Sequence, residues 1–350
     1  MTRKRFTKIL STLRFKIDIK VFNAFVILFF GLHFELASQN TLDIVGLPSS
    51  TPSNCSYSLR KLSTSYLGNA ILVRRSSDNA TQNIGYLASG HLDTTSLKSF
   101  VGAGNGFINT WYDQSGNNRN AIQLTLANQP RIVNGGIIER QNGVPTIYFT
   151  GNSFLSHNSF PTTGFSGFSA NIVAKWTTVG NAIANIQTLL DNNHTGTQGF
   201  NIQDRPNLSA RPITFGITAT PSGAGVQDNS YTGNGNTRIL TFIANNTTVS
   251  GFRDGNALTT SAISSTTYVL QTRFVIGAWY NSGSISRYTL GYIPEVILFS
   301  SALSTTERIT LECNQSNYYN VSFASASNLE FYTLFLTVSN RSTNNNRTAW

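Results

Sequence analysis

Charge is what this chain has least of. Of its 350 residues, 11% are Asp, Glu, Lys or Arg, less than half the roughly 25% usual for a soluble domain. Acidic residues are the scarcer sign, 15 against 25 Lys and Arg. Seven of the basic and two of the acidic residues lie in residues 1–39, and the rest of the arginines come singly apart from Arg74-Arg75. A phosphate-tracking surface needs clustered cations, so nucleic acid is not an expected partner. The chain has two cysteines, and His91, His157 and His194 show no ligand spacing, which excludes a zinc site. After residue 37 no run is long and apolar enough to span a bilayer. Apolar residues still make up 40%, with 23 Phe, 13 Tyr and 4 Trp. That content excludes a wholly disordered chain. The remaining surface is expected to be rich in amides and hydroxyls, which suits an extracellular protein that touches sugars.

Residues 1–20 are basic, 21–37 (VFNAFVILFFGLHFELA) are apolar, and Ala37-Ser38-Gln39 offers small residues before a polar run. This order predicts a signal peptide over 1–39 or, if it stays uncleaved, a signal anchor. Either way the rest is expected to be secreted or at the cell surface. Residues 40–54 read as a Pro/Ser/Thr linker, 55–320 as one domain and 321–350 as an atypical tail. Within the domain, short alternating runs separated by Gly and Asn turns predict strands. The clearest are Ala70–Arg75, Phe107–Tyr112, Pro145–Phe149, Phe168–Trp176, Ile213–Ile217, Arg238–Ala244, Val249–Arg253, Arg273–Trp279 and Thr289–Phe299. Asp254-Gly255 signals a hairpin turn. Ser63–Tyr66 is a candidate short helix, and Ser304-Thr305-Thr306-Glu307 is a capping box that opens a late helix. The fold class expected is all-β, a concanavalin A-like jelly-roll β-sandwich with one short C-terminal helix.

Candidate site residues follow from chemistry. An aromatic ring offers an apolar platform with a polar rim to the C–H face of a sugar. Trp111, Tyr112, Trp279 and Tyr280 are the candidates, Trp279 and Tyr280 foremost because they precede the turn Asn281-Ser282-Gly283. Trp176 ends a strand-like run and reads as core. Asp113, in Tyr112-Asp113-Gln114-Ser115-Gly116-Asn117, reads first as a turn former and second as a ligand for a sugar hydroxyl or Ca²⁺. Asp191 is the other metal candidate. Glu295 alternates with apolar neighbours and reads as a paired or solvent-facing strand residue. Cys55 and Cys313 form either an exported protein's disulfide or two buried thiols.

Two blocks carry a resemblance. Ser56 to Thr150 contains SYSLRKLSTSYLGNAILVRRSSDNATQNIGY, FINTWYDQSGNNRNAIQ, NQPRIV and NGVPTIYF. It resembles the N-terminal half of the catalytic domain of α-L-arabinofuranosidase B, glycoside hydrolase family 54. Phe274–Tyr319 resembles the closing strands of concanavalin A-like, laminin-G-like jelly rolls. The whole is similar to exported proteins of Bacteroidetes-type bacteria. The resemblance implies a retaining glycosidase with a Glu nucleophile in mid-domain and an Asp just after an Ile-Gly step. It also implies that one Ca²⁺ could sit in such a sandwich. In this chain no Glu lies between Glu139 and Glu295, and Ile276-Gly277 is followed by Ala278-Trp279-Tyr280-Asn281. A catalytic pair would have to come from Asp191, Asp204, Asp228 or Asp254. The expected function is therefore an exported, non-catalytic carbohydrate-binding or adhesion module whose partner is a polysaccharide. The alternatives are an arabinofuranosidase-like hydrolase of arabinose-containing polysaccharide and a structural surface protein.

Overall fold

A computed structural model describes residues 40–323, apart from 164, 166, 178–185, 193–198, 206–212, 220, 221, 229–234, 246, 263–269 and 282. The leader of 1–39 and all but the first residues of the tail lie outside the described residues. In the first part of the domain the strands that matter are β1 (Ser53–Ser58), β2 (Ile71–Arg75) and β3 (Gly106–Trp111). The middle holds β4 (Phe168–Trp176), β5 (Gln187–Asp191), β6 (Phe200–Asp204), β7 (Ile213–Ala219) and β8 (Ser222–Asp228). It continues with β9 (Arg238–Ala244), β10 (Thr248–Arg253) and β11 (Asn256–Ala262). The last part holds β12 (Phe274–Ile276), β13 (Trp279–Asn281), β14 (Ser284–Ser286) and β15 (Leu290–Phe299).

Pairing among the described strands is antiparallel, and the chain is an all-β sandwich. One face is the run β11–β10–β9–β4–β15–β1. The other begins β8–β7–β6–β5–β12 and passes through short strands at 155–157 and 121–122 to β3 and β2. Period-two alternation builds the core between them. Phe168, Ala170 and Ile172 of β4 and Leu240, Phe242 and Ala244 of β9 face Phe200, Ile202, Phe215 and Val226. Aromatic rings bridge the two layers, Phe168 to Phe200 at 4.4 Å and Phe215 to Phe242 at 5.7 Å between centroids.

Local chemistry explains where strands stop. The run expected over Arg273–Trp279 is broken at Gly277, which sits at φ +88° and whose missing Cβ would lie 2.2 Å from the Phe149 ring. The Asp254-Gly255 turn has both residues at positive φ, 50° and 85°, the signature of a tight hairpin. Ser63–Tyr66 forms a turn, not a helix, closed by Tyr66 N–H donating to Ser63 O. A helix absent from the sequence expectation, α1 (Thr94–Val101), is capped by Asp93, whose carboxylate accepts from Ser96 N. The late helix α2 (Thr305–Tyr319) starts at the capping box of Ser304 and Glu307.

Helix α2 covers the outer side of β15, β4 and β9. Leu311 packs there with Ile243, Ile297 and Phe299, and the same cluster takes in Leu42, Val45 and Leu47. Residues 40–54 are therefore not a linker. Their apolar residues complete this second core, and β1 begins at Ser53. At the far end Val321 joins Val173, Ile239 and Tyr319 in a third cluster. The same two-sidedness rules out the disulfide. Cys55 shares the inner core with Tyr57, whereas Cys313 rides on α2. Both are free thiols. Burial pushes both up, Cys313 to about 11, so neither is a reactive thiolate at neutral pH.

Beneath α2 lies a buried polar network. Glu295 accepts two hydrogen bonds from Arg60, at 2.8 and 3.0 Å, and one each from Ser58 (2.7 Å), Gln315 (2.9 Å) and Tyr319 (2.9 Å). Burial alone would raise the Glu295 carboxyl, but the Arg60 charge and these donors outweigh it and hold the group below its ordinary value. Gln315 also exchanges hydrogen bonds with Asn171 of β4. Further along the helix, Glu312 is fully buried and ion-paired to Arg308. Here burial dominates, and the carboxyl is pushed up to about 7.

Two outcomes follow. Arg60→Ala leaves a buried carboxylate without its counter-ion, and urea unfolding should show a loss of about 3–5 kcal/mol. For Glu312 the folded pKa lies above the unfolded value, so the folded state binds the extra proton. Stability should rise as pH falls from about 7 toward the unfolded value, and this part of the slope should be missing in Glu312→Gln.

Candidate functional site

The outer side of β5–β8 is not covered by a helix, and its composition differs from every other face. Strand register aligns Thr188, Gln203, Thr214 and Gln227 in one cross-strand row. Asp191, Asn201, Gly216 and Gly225 form the next. The alternate residues Ile202, Phe215 and Val226 point into the core. The outward side thus carries amides and hydroxyls, with Gln227 exposed and Asn201, Gln203 and Thr214 buried, and the glycine pair lowers its floor. A Cβ at Gly225 would lie 3.1 Å from the Phe215 carbonyl oxygen.

A wall rises beside this floor. The hairpin β13–β14 pairs Trp279 with Ser286. Arg287 follows in the left-handed region at φ 50°, which turns its guanidinium back over the Trp279 ring at 3.8 Å from the centroid. On the neighbouring position Arg273 covers Tyr280 at 4.2 Å. Asp191, fully buried, fastens the hairpin to the floor, since its Oδ2 accepts from Tyr280 N at 3.1 Å. Arg205, just past β6, and Ser261 of β11 complete a cleft of about 440 Å³. That volume lies within the range of small-ligand sites. Among the described residues no carboxylate lines it.

Of the expected platform residues, Trp279 lines the cleft and Tyr280 stands next to it. The others lie elsewhere. Trp111 is fully buried, its ring 5.6 Å from Tyr57, because it is paired with Ile71 and Ala121 on the core side. Tyr112 is half-buried and donates through its hydroxyl to Asn83 at 2.7 Å. Asp113 is a turn residue. Its carboxylate accepts from Ser56 N (2.8 Å), Ser115 N (2.9 Å), Ser115 Oγ (2.7 Å) and Arg119 N (3.0 Å), and it is buried. Burial raises its pKa against the pull of those donors. With four donors on two oxygens it has nothing left for a metal ion or a sugar. Among the described residues no group of three or more His, Cys, Asp or Glu side chains comes together, so a Ca²⁺ ion at Asp113 or Asp191 has no partner carboxylates.

None of the four candidate aspartates lines the cleft among the described residues. Asp204 and Asp228 flank Ile213 in register and share its core-facing side. Asp228 is ion-paired to Arg253. Asp254 holds the β10–β11 turn, accepting from Ile239 N at 2.8 Å and Arg238 at 2.7 Å. Glu295 is under α2, on the opposite sheet. Asp191 alone stands against the cleft.

Three comparisons place this geometry. A family model, the catalytic domain of α-L-arabinofuranosidase B, matches residues 43–197. No curated protein sequence matches. Among solved structures the fold is similar to a family 54 α-L-arabinofuranosidase soaked with a cyclic sulfate inhibitor, at 15% identity and a TM-score of 0.56. It is similar also to a Glu-to-Gln mutant of such an enzyme soaked with 4-nitrophenyl α-L-arabinofuranoside, TM-score 0.58 and 15% identity. An arabinofuranosidase complexed with arabinofuranosyl-α-1,2-xylobiose gives 0.55, again at 15%. Each covers 82% of this chain, and this chain spans 66% of each of those chains, just under two thirds of their length. The chain thus has an arabinofuranosidase-like sandwich.

If Asp191 fastens the hairpin, Asp191→Ala should loosen β13–β14 and little else. Hydrogen exchange at the Tyr280 amide should speed up roughly tenfold, in line with one lost charged hydrogen bond, while amides of β4 and β15 keep their protection.

Proposed function

We propose that this chain is an exported arabinofuranosidase-like protein that holds arabinose-containing polysaccharide in the cleft between Trp279, Arg287 and the floor of β6–β8. The observation that carries the reading is the pairing of an aromatic wall with two rows of amides and hydroxyls on one outward sheet face. A furanose ring presents C–H groups to Trp279 and hydroxyls to Asn201, Gln203 and Gln227. The family match over 43–197 and the fold similarity support the substrate class.

A second reading, hydrolysis of the same glycans, is favoured by those comparisons. Retaining cleavage uses two carboxyl groups about 5–5.5 Å apart, one as nucleophile and one as acid/base. Asp191 borders the cleft through the hairpin, it is fully buried, and it already accepts from the hairpin backbone. The geometry therefore supports holding over cutting.

Affinity electrophoresis in arabinan and arabinoxylan gels, run beside a 4-nitrophenyl α-L-arabinofuranoside assay, separates the two. Retardation without dye release is the expected result. Trp279→Ala should weaken retention by up to about tenfold with an unchanged melting temperature. Dye release that disappears in Asp191→Asn would establish the hydrolase instead.

A further inference from the structure

The cleft carries a charge that neutral arabinan does not explain. Arg205 and Arg287 both line it, and no carboxylate does. Neither guanidinium has an ion-pair partner among the described residues. Arg205 Nε is out of solvent and has no hydrogen-bond partner there. Arg287 makes its one side-chain contact with the face of Trp279. The two cations stand in each other's field. Burial holds Arg287 below its ordinary value, Arg205 adds to that, and Asp191 opposes it. Asp191 offsets part of this charge, but it is a single carboxylate against two guanidinia and also accepts from the hairpin backbone. The stretches 206–212 and 229–234, which border the floor strands in sequence, contain no Asp or Glu.

Two partly desolvated guanidinia facing one cavity are costly without an anion. The missing charge is then the ligand's. We infer that the cleft selects an acidic glycan, one whose sugar carries a carboxylate or a sulfate ester that Arg205 and Arg287 grip together. A guanidinium fork matches either oxyanion in a bidentate way. Trp279 takes the apolar face of the same or the adjoining ring, and Asn201, Gln203 and Gln227 take hydroxyls. The inference rests on the glycan-binding reading of this cleft and narrows it from arabinose-containing polysaccharide in general to its acid-substituted forms.

The test is calorimetric titration of the full chain with four probes: oligogalacturonate, its methyl ester, a sulfated galacto-oligosaccharide and neutral arabino-oligosaccharide. Oligogalacturonate or the sulfated probe should bind roughly tenfold more tightly than the methyl ester. The advantage should shrink as NaCl is raised from about 20 mM to 500 mM. Tighter binding of the first assigns the carboxylate, and of the second the sulfate. Arg205→Gln should abolish the preference while leaving affinity for the neutral probe unchanged. Arg287→Asn, which keeps a residue suited to the left-handed backbone, should abolish the preference as well, so a folding failure in one variant does not block the result. Affinity for both acidic probes no greater than for the ester, or a preference that survives both variants, would overturn the inference. If the neutral probe binds and neither acidic probe gains, only this inference falls. If no probe binds, the glycan reading falls with it.

Discussion

The buried pair of Glu295 and Arg60 sets the arrangement of everything else. A carboxylate in the middle of β15 must be taken out of water when helix α2 lies down on the sheet. It is tolerated because five hydrogen bonds from four side chains meet it there. Those donors come from β1, the segment after it, and α2, so the pair fixes three separated stretches at one point. Its placement on the outer side of the sheet leaves the inner side wholly apolar. Breaking it is costly by the desolvation argument. Its role is better described as fixing which face the helix covers than as adding net stability.

That choice creates the functional asymmetry. One outer face of the sandwich is sealed by α2 and by Leu42, Val45 and Leu47. On the other sheet the outer side of β5–β8 stays open, bounded by the β13–β14 hairpin. An open face on a rigid scaffold is where binding chemistry concentrates. The two glycines in register at 216 and 225 deepen it, and the strand pattern supplies amides in place of acids. Asp191 links the wall to the floor, which explains why the remaining carboxylate near the cleft is structural. The fold is similar to that of arabinofuranosidases, and the cleft is lined by amides, hydroxyls, an indole and two guanidinia.

Much of the scaffold was legible in the sequence, for reasons that are local. The alternation in Phe168–Trp176 and Arg238–Ala244, the Asp254-Gly255 turn and the Ser304–Glu307 capping box each act within a few residues. What escaped notice depends on partners distant in sequence. Residues 40–54 look like a linker by composition, yet Leu42, Val45 and Leu47 find a core only because α2 and β15 bring Leu311 and Phe299 to them. Cys55 and Cys313 looked bridgeable because both ends of the chain meet at one sheet, but they meet from opposite faces. Trp111 looked like a ligand residue and is instead core, whereas Asp113, read first as a turn former, holds its turn. The floor of the cleft had one readable signal, the strand read from the sequence at Ile213–Ile217 within β7. The opposite strand, Ser222–Asp228, is too glycine-rich to show any. Arg205 and Arg287 carried no signal, since single arginines in polar loops are ordinary.

The most direct measurement is a crystal structure of the chain soaked with an arabinose-containing oligosaccharide. The sugar is expected over Asn201, Gln203 and Gln227 with a ring face against Trp279, and with no pair of carboxylates within reach of its anomeric carbon. A sugar bound elsewhere on the sandwich, or two carboxyl groups facing each other across that carbon, would contradict the reading of the cleft as a site that holds glycan without cutting it.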